Sequence, residues 1–240
     1  MANSTIAAGS TPAPMNVFAR FIGVITAPKA TFESVVAHPK ILGMLVLTTA
    51  IVAFGAALPM MTDAGKQAAL DQQVSQLESF GMQVSDEQYE GMRKGIAIAP
   101  YTTAISVAVA TPIILAILAG ILFAVFNAAM GGEATYKQVY AVLVHAGVIS
   151  ALGQLFTGPV NYFRGSTSSP TTLSALLPML DDTSFIGKLA GMIDLFVIWW
   201  VIVLAIGLAV LYRRRTQPIA MTLFGIYALI AVSIAAFMSR

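Results

Sequence analysis

The chain alternates between long apolar stretches and shorter polar connections. A helix needs about 20 apolar residues to cross a hydrocarbon layer about 30 Å thick. Five stretches reach this length, and the third is the most polar; they cover approximately residues 41–61, 103–130, 138–157, 190–212 and 219–238. The pattern therefore predicts an all-α integral membrane protein built as a bundle of five transmembrane helices.

The segment before the first apolar stretch, residues 15–39, is amphipathic but too short and too broken to span a membrane. Its first half places aromatic and aliphatic side chains on one helical face, and Pro28 is suited to begin a second short helix. We expect a pair of interfacial helices on the inner membrane surface. Packing of both helices against the inner end of the bundle fits the same pattern equally well. The predicted membrane-surface residues are Phe18, Arg20, Phe21, Ile25 and Phe32.

The polar connection at 62–100 is long enough to fold into helices of its own. Ser85 followed by Gln88 has the spacing of a capping box, in which each residue hydrogen-bonds the backbone N–H of the other. We expect an outer helical cap here. Residues 1–14 are rich in Ala, Ser, Thr, Gly and Pro and predict a disordered tail, which leaves 15–240 as a single membrane domain.

Composition and charge agree with a membrane protein. Apolar residues make up 58% of the chain, charged residues make up 10%, and the mean hydropathy is +0.82; soluble domains carry about 25% charged residues. With five spans, the segments on the same side of the membrane as the N-terminus carry seven basic and two acidic residues. The segments on the other side of the membrane carry six basic and eight acidic residues. The positive-inside rule then predicts a cytoplasmic N-terminus and an outside C-terminus in a bacterial plasma membrane. No basic footprint for nucleic acid is visible.

Small residues recur along the second and third spans in the pattern that brings membrane helices into close contact. The predicted helix-packing residues are Ala116, Gly120 and Ala124 on the second span, and Gly147, Ser150 and Gly153 on the third. Gln154 lies on the same stripe of the third span. The alternative is that this stripe lines a solvated path through the bundle.

Ionisable and amide side chains inside membrane segments are candidate functional residues. Asp194 lies near the outer boundary, at the start of the fourth span. Its depth suggests Gln154 as its partner, and Ser233 near the outer end of the fifth span is another candidate. We interpret Asp194 as a structural anchor, with ion handling as the alternative. His145 and Asn127 are further intramembrane polar candidates, and an interhelical hydrogen bond is the expected role of His145. No catalytic motif, metal-ligand cluster or cofactor motif is present.

Three pieces of sequence resemble a known family. They are "TAPKATFESVVAHP" before the first span, "GGEATYKQVYAVLVHAG" between the second and third, and "IDLFVIWWVIVLAIGLAV" at the fourth. Together with five spans, they resemble the Yip1 domain family in its bacterial branch. The resemblance makes Asp194, Phe196 and Trp199 motif residues. Eukaryotic relatives bind small GTPases of the Rab class through an N-terminal region with a DLYGP-type motif, which the short tail here lacks.

The sequence therefore favours a non-enzymatic membrane organiser, an interaction scaffold or a subunit of a membrane complex. Such a protein lies in the lipid bilayer and binds a membrane-protein partner or copies of itself. The alternative is a channel or transporter for an ion or small solute, using the polar stripe of the third span and Asp194.

Overall fold

A computed structural model describes residues 13–129, 131–181 and 183–239. The described residues fold almost entirely into helices, with one isolated β-bridge between Thr172 and Asp194. The predicted tail, residues 1–14, lies outside the described residues up to position 12. The helices are α1 Val17–Thr26, α2 Pro28–Ala37, α3 Leu42–Ala57, α4 Asp63–Ser79, α5 Asp86–Gly95, α6 Ala99–Phe123, α7 Tyr136–Arg164, α8 Leu173–Leu176, α9 Phe185–Met192, α10 Leu195–Leu211 and α11 Thr216–Met238.

Helix α7 forms the centre of the bundle. It packs against α3 on one side and α10 on the other, and α6 packs against both α3 and α7. Nearly every side chain from Val139 to Ile149 is buried. Helix α11 lies at the edge, where it packs against α10 and α9. The outer faces of α6 and α11 are apolar and exposed, as is usual for helices in contact with lipid.

The central α3–α7 contact depends on two glycines. A Cβ atom added at Gly55 would lie 2.8 Å from Cβ of Gln154, and one added at Gly158 would lie 2.8 Å from the backbone oxygen of Gly55. Both distances are too short for carbon contacts. The absence of side chains at these two positions therefore lets the backbones of α3 and α7 approach closely.

Among the described residues, three helical segments are long and apolar enough to cross a membrane by length and composition. They are the continuous helical segment Asp86–Asn127, which contains α5 and α6, and helices α7 and α11. Three further apolar helices, α1, α3 and α10, are shorter, with 10, 16 and 17 residues. The all-α prediction is confirmed, and three of the five predicted spans correspond to helices of spanning length.

Several predicted boundaries move because of local helix breakers and caps. The fourth stretch, predicted as one span over 190–212, is divided between α9 and α10, because the Asp194 side chain caps a new helix. The first span ends at Ala57, where Pro59 begins a short 3-10 turn. The third predicted span, which was expected to end at residue 157, corresponds to α7 and continues to Arg164. The predicted Ser85–Gln88 capping box is present at the start of α5.

The N-terminal helices pack against the bundle, and Pro28 occupies the first turn of α2 as predicted. Two residues predicted on the membrane surface are instead buried: Arg20 is 2% exposed and Phe32 is 0% exposed. Phe32 lies against Gly207 of α10, where a side chain would collide with its ring. Phe18, in contrast, is 72% exposed, and Phe21 and Ile25 are half-buried. The pair therefore combines a buried face with an outward apolar face.

Candidate functional site

An open groove of about 430 Å³ lies between α7 and α10, at the end of the bundle opposite α1 and α2. We call it the polar groove. Its α7 wall supplies small and polar side chains, its α10 wall supplies aromatic and aliphatic ones, and a connecting loop closes one end. The lining residues are Ser150, Gly153, Gln154, Thr157, Ser169, Thr171, Asp194, Phe196, Val197 and Trp200.

Asp194 joins the connecting loop to the first turn of α10. Its Oδ2 accepts hydrogen bonds from the hydroxyls of Ser169 and Thr171, both at 2.6 Å. Its Oδ1 accepts from the backbone N–H of Phe196 at 2.8 Å and of Val197 at 3.3 Å. The β-bridge at Thr172 adds backbone hydrogen bonds beside these contacts. Asp194 is therefore the N-cap of α10 and also fixes the position of the loop.

The hydrogen bonds of Asp194 use its full accepting capacity. A carboxylate offers about four lone-pair sites, and four donors approach it here. With four donors at its two oxygens, the carboxylate has little remaining capacity to bind a cation. Gln154, predicted as its partner, lines the same groove but makes none of these hydrogen bonds, because the loop hydroxyls reach the carboxylate first.

The α7 wall of the groove has polar groups whose hydrogen-bonding capacity is not met inside the chain. Within the described residues, the side chains of Ser150, Gln154 and Thr157 form no hydrogen bond. Ser150 is exposed, Gln154 is half-buried and Thr157 is buried. At 1.5 Å per residue, Ser150 and Thr157 lie about 21 Å and about 32 Å along α7 from Tyr136. The wall therefore lies along the half of α7 farther from Tyr136, over a length comparable with part of a hydrocarbon layer about 30 Å thick.

The motif residue Phe196 lies on the α10 wall, together with Val197 and Trp200. The Phe196 ring lies over Gly153, where an added Cβ would be 3.0 Å from its Cγ atom. Trp199 stacks on Phe196, with ring centroids 6.3 Å apart. The backbone of Gly153 therefore lies against the Phe196 ring of α10.

Among the described residues, other predicted packing positions do not pack closely against a neighbouring helix. A Cβ added at Gly120 or Gly147 would touch nothing within 4 Å, and Ala124 is exposed. Ala119 is fully buried instead, so α6 turns a neighbouring face toward the bundle. Ala116 is half-buried, and its backbone oxygen accepts a hydrogen bond from the Tyr136 hydroxyl at 2.9 Å.

His145 and Arg20 meet inside the opposite end of the bundle. His145 Nδ1 lies 2.7 Å from the Ala141 carbonyl oxygen, which places the ring proton on Nδ1. The lone pair of Nε2 is then available to Arg20 Nη1, at 3.4 Å. Arg20 Nη2 also donates to the backbone oxygen of His38 at 2.9 Å, at the C-terminal end of α2. Arg20 was not predicted from sequence as a partner of His145.

The charge of Arg20 is stabilised by dipoles. The ion pairs among the described residues are Lys66–Asp63 and Arg93–Glu90, so no carboxylate pairs with Arg20 there. Carbonyl groups at the C-terminus of α2 provide the negative end of a helix dipole. Burial lowers the pKa of the Arg20 guanidinium, but arginine titrates so far above neutrality that it stays charged. Arg20 therefore fastens α1 and α2 to α7 through His145.

Asn127 connects three elements at this same end. Its Nδ2 donates to the Ala134 oxygen at 2.6 Å, and its Oδ1 accepts from the Tyr212 hydroxyl at 2.8 Å. The Tyr212 ring also stacks on Phe126 with centroids 5.0 Å apart. Tyr212 was not singled out by sequence, although it lies just before the arginine triplet, at the end of the apolar helix α10.

The loop partners of Asp194 were also missed. Ser169 and Thr171 come from the hydroxyl-rich piece "GSTSSPTT", which carries no periodic pattern. Their common signal is a run of hydroxyl donors on the same side of the membrane as Asp194. Among the described residues, no group of three or more His, Cys, Asp or Glu side chains could hold a metal ion.

The apolar helices of spanning length, the exposed apolar faces and the buried polar contacts define a helical integral membrane protein. The chain belongs to the Yip1 domain family, whose sequence profile matches residues 22–238. It is similar to the membrane protein YknW of Bacillus subtilis (strain 168), with 26% identity over 188 residues, which cover 78% of this chain and 75% of that protein. No solved structure matches the chain significantly.

Proposed function

We propose that this protein is a non-enzymatic membrane organiser or complex subunit, and that its polar groove receives a transmembrane helix of a partner. The observation that carries the proposal is the α7 wall, where Ser150, Gln154 and Thr157 have no side-chain hydrogen bond within the described residues. Polar groups in hydrocarbon must be satisfied, and hydrogen bonds between membrane helices supply about 1 kcal/mol each. A partner helix with small or polar residues meets this need.

The proposal includes five membrane spans: α3, the α6 segment, α7, α10 and α11. Helices α3 and α10 are short, and a helix shorter than the hydrocarbon layer is accommodated by local thinning or by flanking residues. The N-terminus of α3, the N-terminus of α7 and the C-terminus of α10 lie at one end with α1 and α2, as the Gln138–Val36 and Tyr212–Asn127 hydrogen bonds indicate. This end carries the basic excess, so we place it in the cytoplasm of a bacterial cell.

The proposal can be tested by comparing the complexes formed by the wild-type protein with those formed by a variant whose groove is filled. Wild type and the Ser150→Leu variant are extracted in a mild detergent, and the mass of each intact complex is measured. We expect Ser150→Leu to lose the partner while its monomer stays folded, because the added side chain fills the groove without touching the core.

The matched control is Ala108→Leu, which adds a similar side chain on the exposed face of α6. If the control retains the partner and Ser150→Leu loses it, the result supports binding of the partner in the polar groove. Equal complexes in both variants contradict it.

Transport is the competing function, because an unsatisfied polar wall can also border water. The surroundings of Asp194 do not favour transport, because four hydrogen-bond donors already occupy its carboxylate oxygens. The chain has no native cysteine, so Ser150→Cys and Gln154→Cys can be treated with a membrane-impermeant thiol reagent in native membranes. Rapid labelling at both positions would indicate a water-filled path and would contradict a covering helix.

A further inference from the structure

A second pocket, of about 400 Å³, lies at the end of the bundle that carries α1 and α2. It is formed where α10 ends and where the turn between the α6 segment and α7 begins. We propose that this pocket, which we call the basic pocket, binds the phosphate group of an anionic phospholipid. The inference does not depend on the proposed partner helix in the polar groove.

Two arginines line the basic pocket. Arg213 and Arg214 are both exposed, and neither forms an ion pair within the described residues. Arginine presents a planar set of donors that matches phosphate oxygens, and such charge-assisted hydrogen bonds are stronger than neutral ones. Glu133 is the acidic residue on the pocket lining, which leaves an excess of one positive charge.

The backbone at the end of α10 is specialised. Arg213 has a φ angle of 51°, a left-handed conformation that is uncommon for a residue other than glycine. The N–H of Arg214 donates to the Ala209 oxygen at 3.0 Å and closes the last helical turn. This closure occupies a carbonyl that would otherwise repel an anion, and it turns the chain so that consecutive arginines border one pocket.

The opposite wall is held rigidly. Gly132 lies against Tyr212 so closely that an added Cβ would be 2.5 Å from a ring carbon. Tyr212 is fixed in turn by its hydrogen bond to Asn127 and its stacking on Phe126. Helix α7 also begins at this wall, and the N-terminus of a helix favours an anion through its dipole.

The remaining lining favours a lipid over free phosphate. Val36, Phe126, Val210 and Leu211 contribute apolar side chains beside the two arginines. A phospholipid can place its phosphate against the arginines and its acyl chains against the apolar residues, whereas inorganic phosphate can contact only the arginines. Basic pockets between membrane helices on the cytoplasmic side are suited to anionic headgroups.

The test measures binding of phosphatidylglycerol to the detergent-purified protein by native mass spectrometry, with phosphatidylcholine as the zwitterionic comparison. We expect Arg214→Gln to weaken phosphatidylglycerol binding roughly tenfold, the loss of one charge-assisted contact. Arg215→Gln removes the same charge from a residue that does not line the pocket, and we expect a change of less than about twofold. Equal losses in the two variants would overturn the proposal, because they would indicate attraction by total charge alone.

Two further measurements complete the test: binding by a Glu133→Gln variant and competition by inorganic phosphate. Glu133→Gln removes the carboxylate from the pocket, and we expect tighter phosphatidylglycerol binding; a misfolded protein would not gain affinity. Weaker or unchanged binding in this variant contradicts the site. Inorganic phosphate is added as a competitor, and we expect little displacement of the lipid at equal concentration. Full displacement would overturn the lipid assignment and indicate a site for free phosphate.

Discussion

The crossing of α3 and α7 leads to a prediction about Gly55. A Cβ added there would lie 2.8 Å from Cβ of Gln154 and 2.9 Å from its backbone oxygen. Both atoms are fixed by the α7 backbone, so no side-chain rotation relieves the contact. The Gly55→Ala variant must therefore separate the two helices by roughly half an ångström, a gap at which van der Waals contacts lose about a quarter of their energy.

The magnitude follows from the position of this contact at the centre of the bundle. Overpacking of a buried contact costs about 1–3 kcal/mol, whereas replacing glycine with alanine inside a helix gains up to about 1 kcal/mol through propensity. A matched variant separates the two effects. Gly147→Ala makes the same change inside α7, where the added Cβ meets nothing within 4 Å.

The assay is the free energy of unfolding of each purified variant, measured by titration with dodecyl sulfate in mixed micelles. We expect Gly55→Ala to be less stable than Gly147→Ala by about 1–3 kcal/mol. Equal stabilities would refute the close backbone approach at this crossing, and so would a Gly55→Ala variant more stable than wild type.

Three further predictions concern the polar contacts. Asp194→Ala removes a helix N-cap and the acceptor of two hydroxyls, so we expect a loss of roughly 2–4 kcal/mol in unfolding free energy and a smaller loss for Asp194→Asn; a wild-type melting temperature for Asp194→Ala would contradict the anchor. Arg20→Ala releases α1 and α2, and we expect several times faster trypsin cleavage after Lys29; an unchanged rate would show that other contacts hold these helices. Tyr212→Phe deletes one hydrogen bond but keeps the ring stacking, so thermal unfolding in detergent should reveal a loss of about 1 kcal/mol, and no loss would contradict its contact with Asn127.

The helices and their local signals could be predicted because they depend on neighbours in sequence. The Ser85–Gln88 capping box and the start of α2 at Pro28 are examples, and both are confirmed. Apolar length alone also predicted where helices form. It overestimated α10 because length does not register a helix restart, which Asp194 imposes by capping a new first turn.

Partnerships between distant residues could not be predicted in the same way. Arg20 looked like a surface residue because amphipathic helices normally keep a cation at the interface, but His145 lies 125 positions away and accepts from it. Gly55 and Gly158 meet only after α3 and α7 cross. Gly153 lies against Phe196, whereas an added Cβ at Gly120 or Gly147 would meet nothing within 4 Å. The spacing of small residues reveals a shared helical face but not which helix covers it.

The most direct measurement is photo-crosslinking from the polar groove in native membranes. In the Ser150→Cys variant, the single cysteine carries a benzophenone probe. The control is Leu155→Cys with the same probe; Leu155 is 50% exposed on the same helix and does not line the groove. We expect a discrete protein adduct from Ser150→Cys, with another protein or a second copy of this chain, and only lipid adducts from Leu155→Cys. Lipid adducts alone from both positions would contradict the claim that a partner helix occupies the groove.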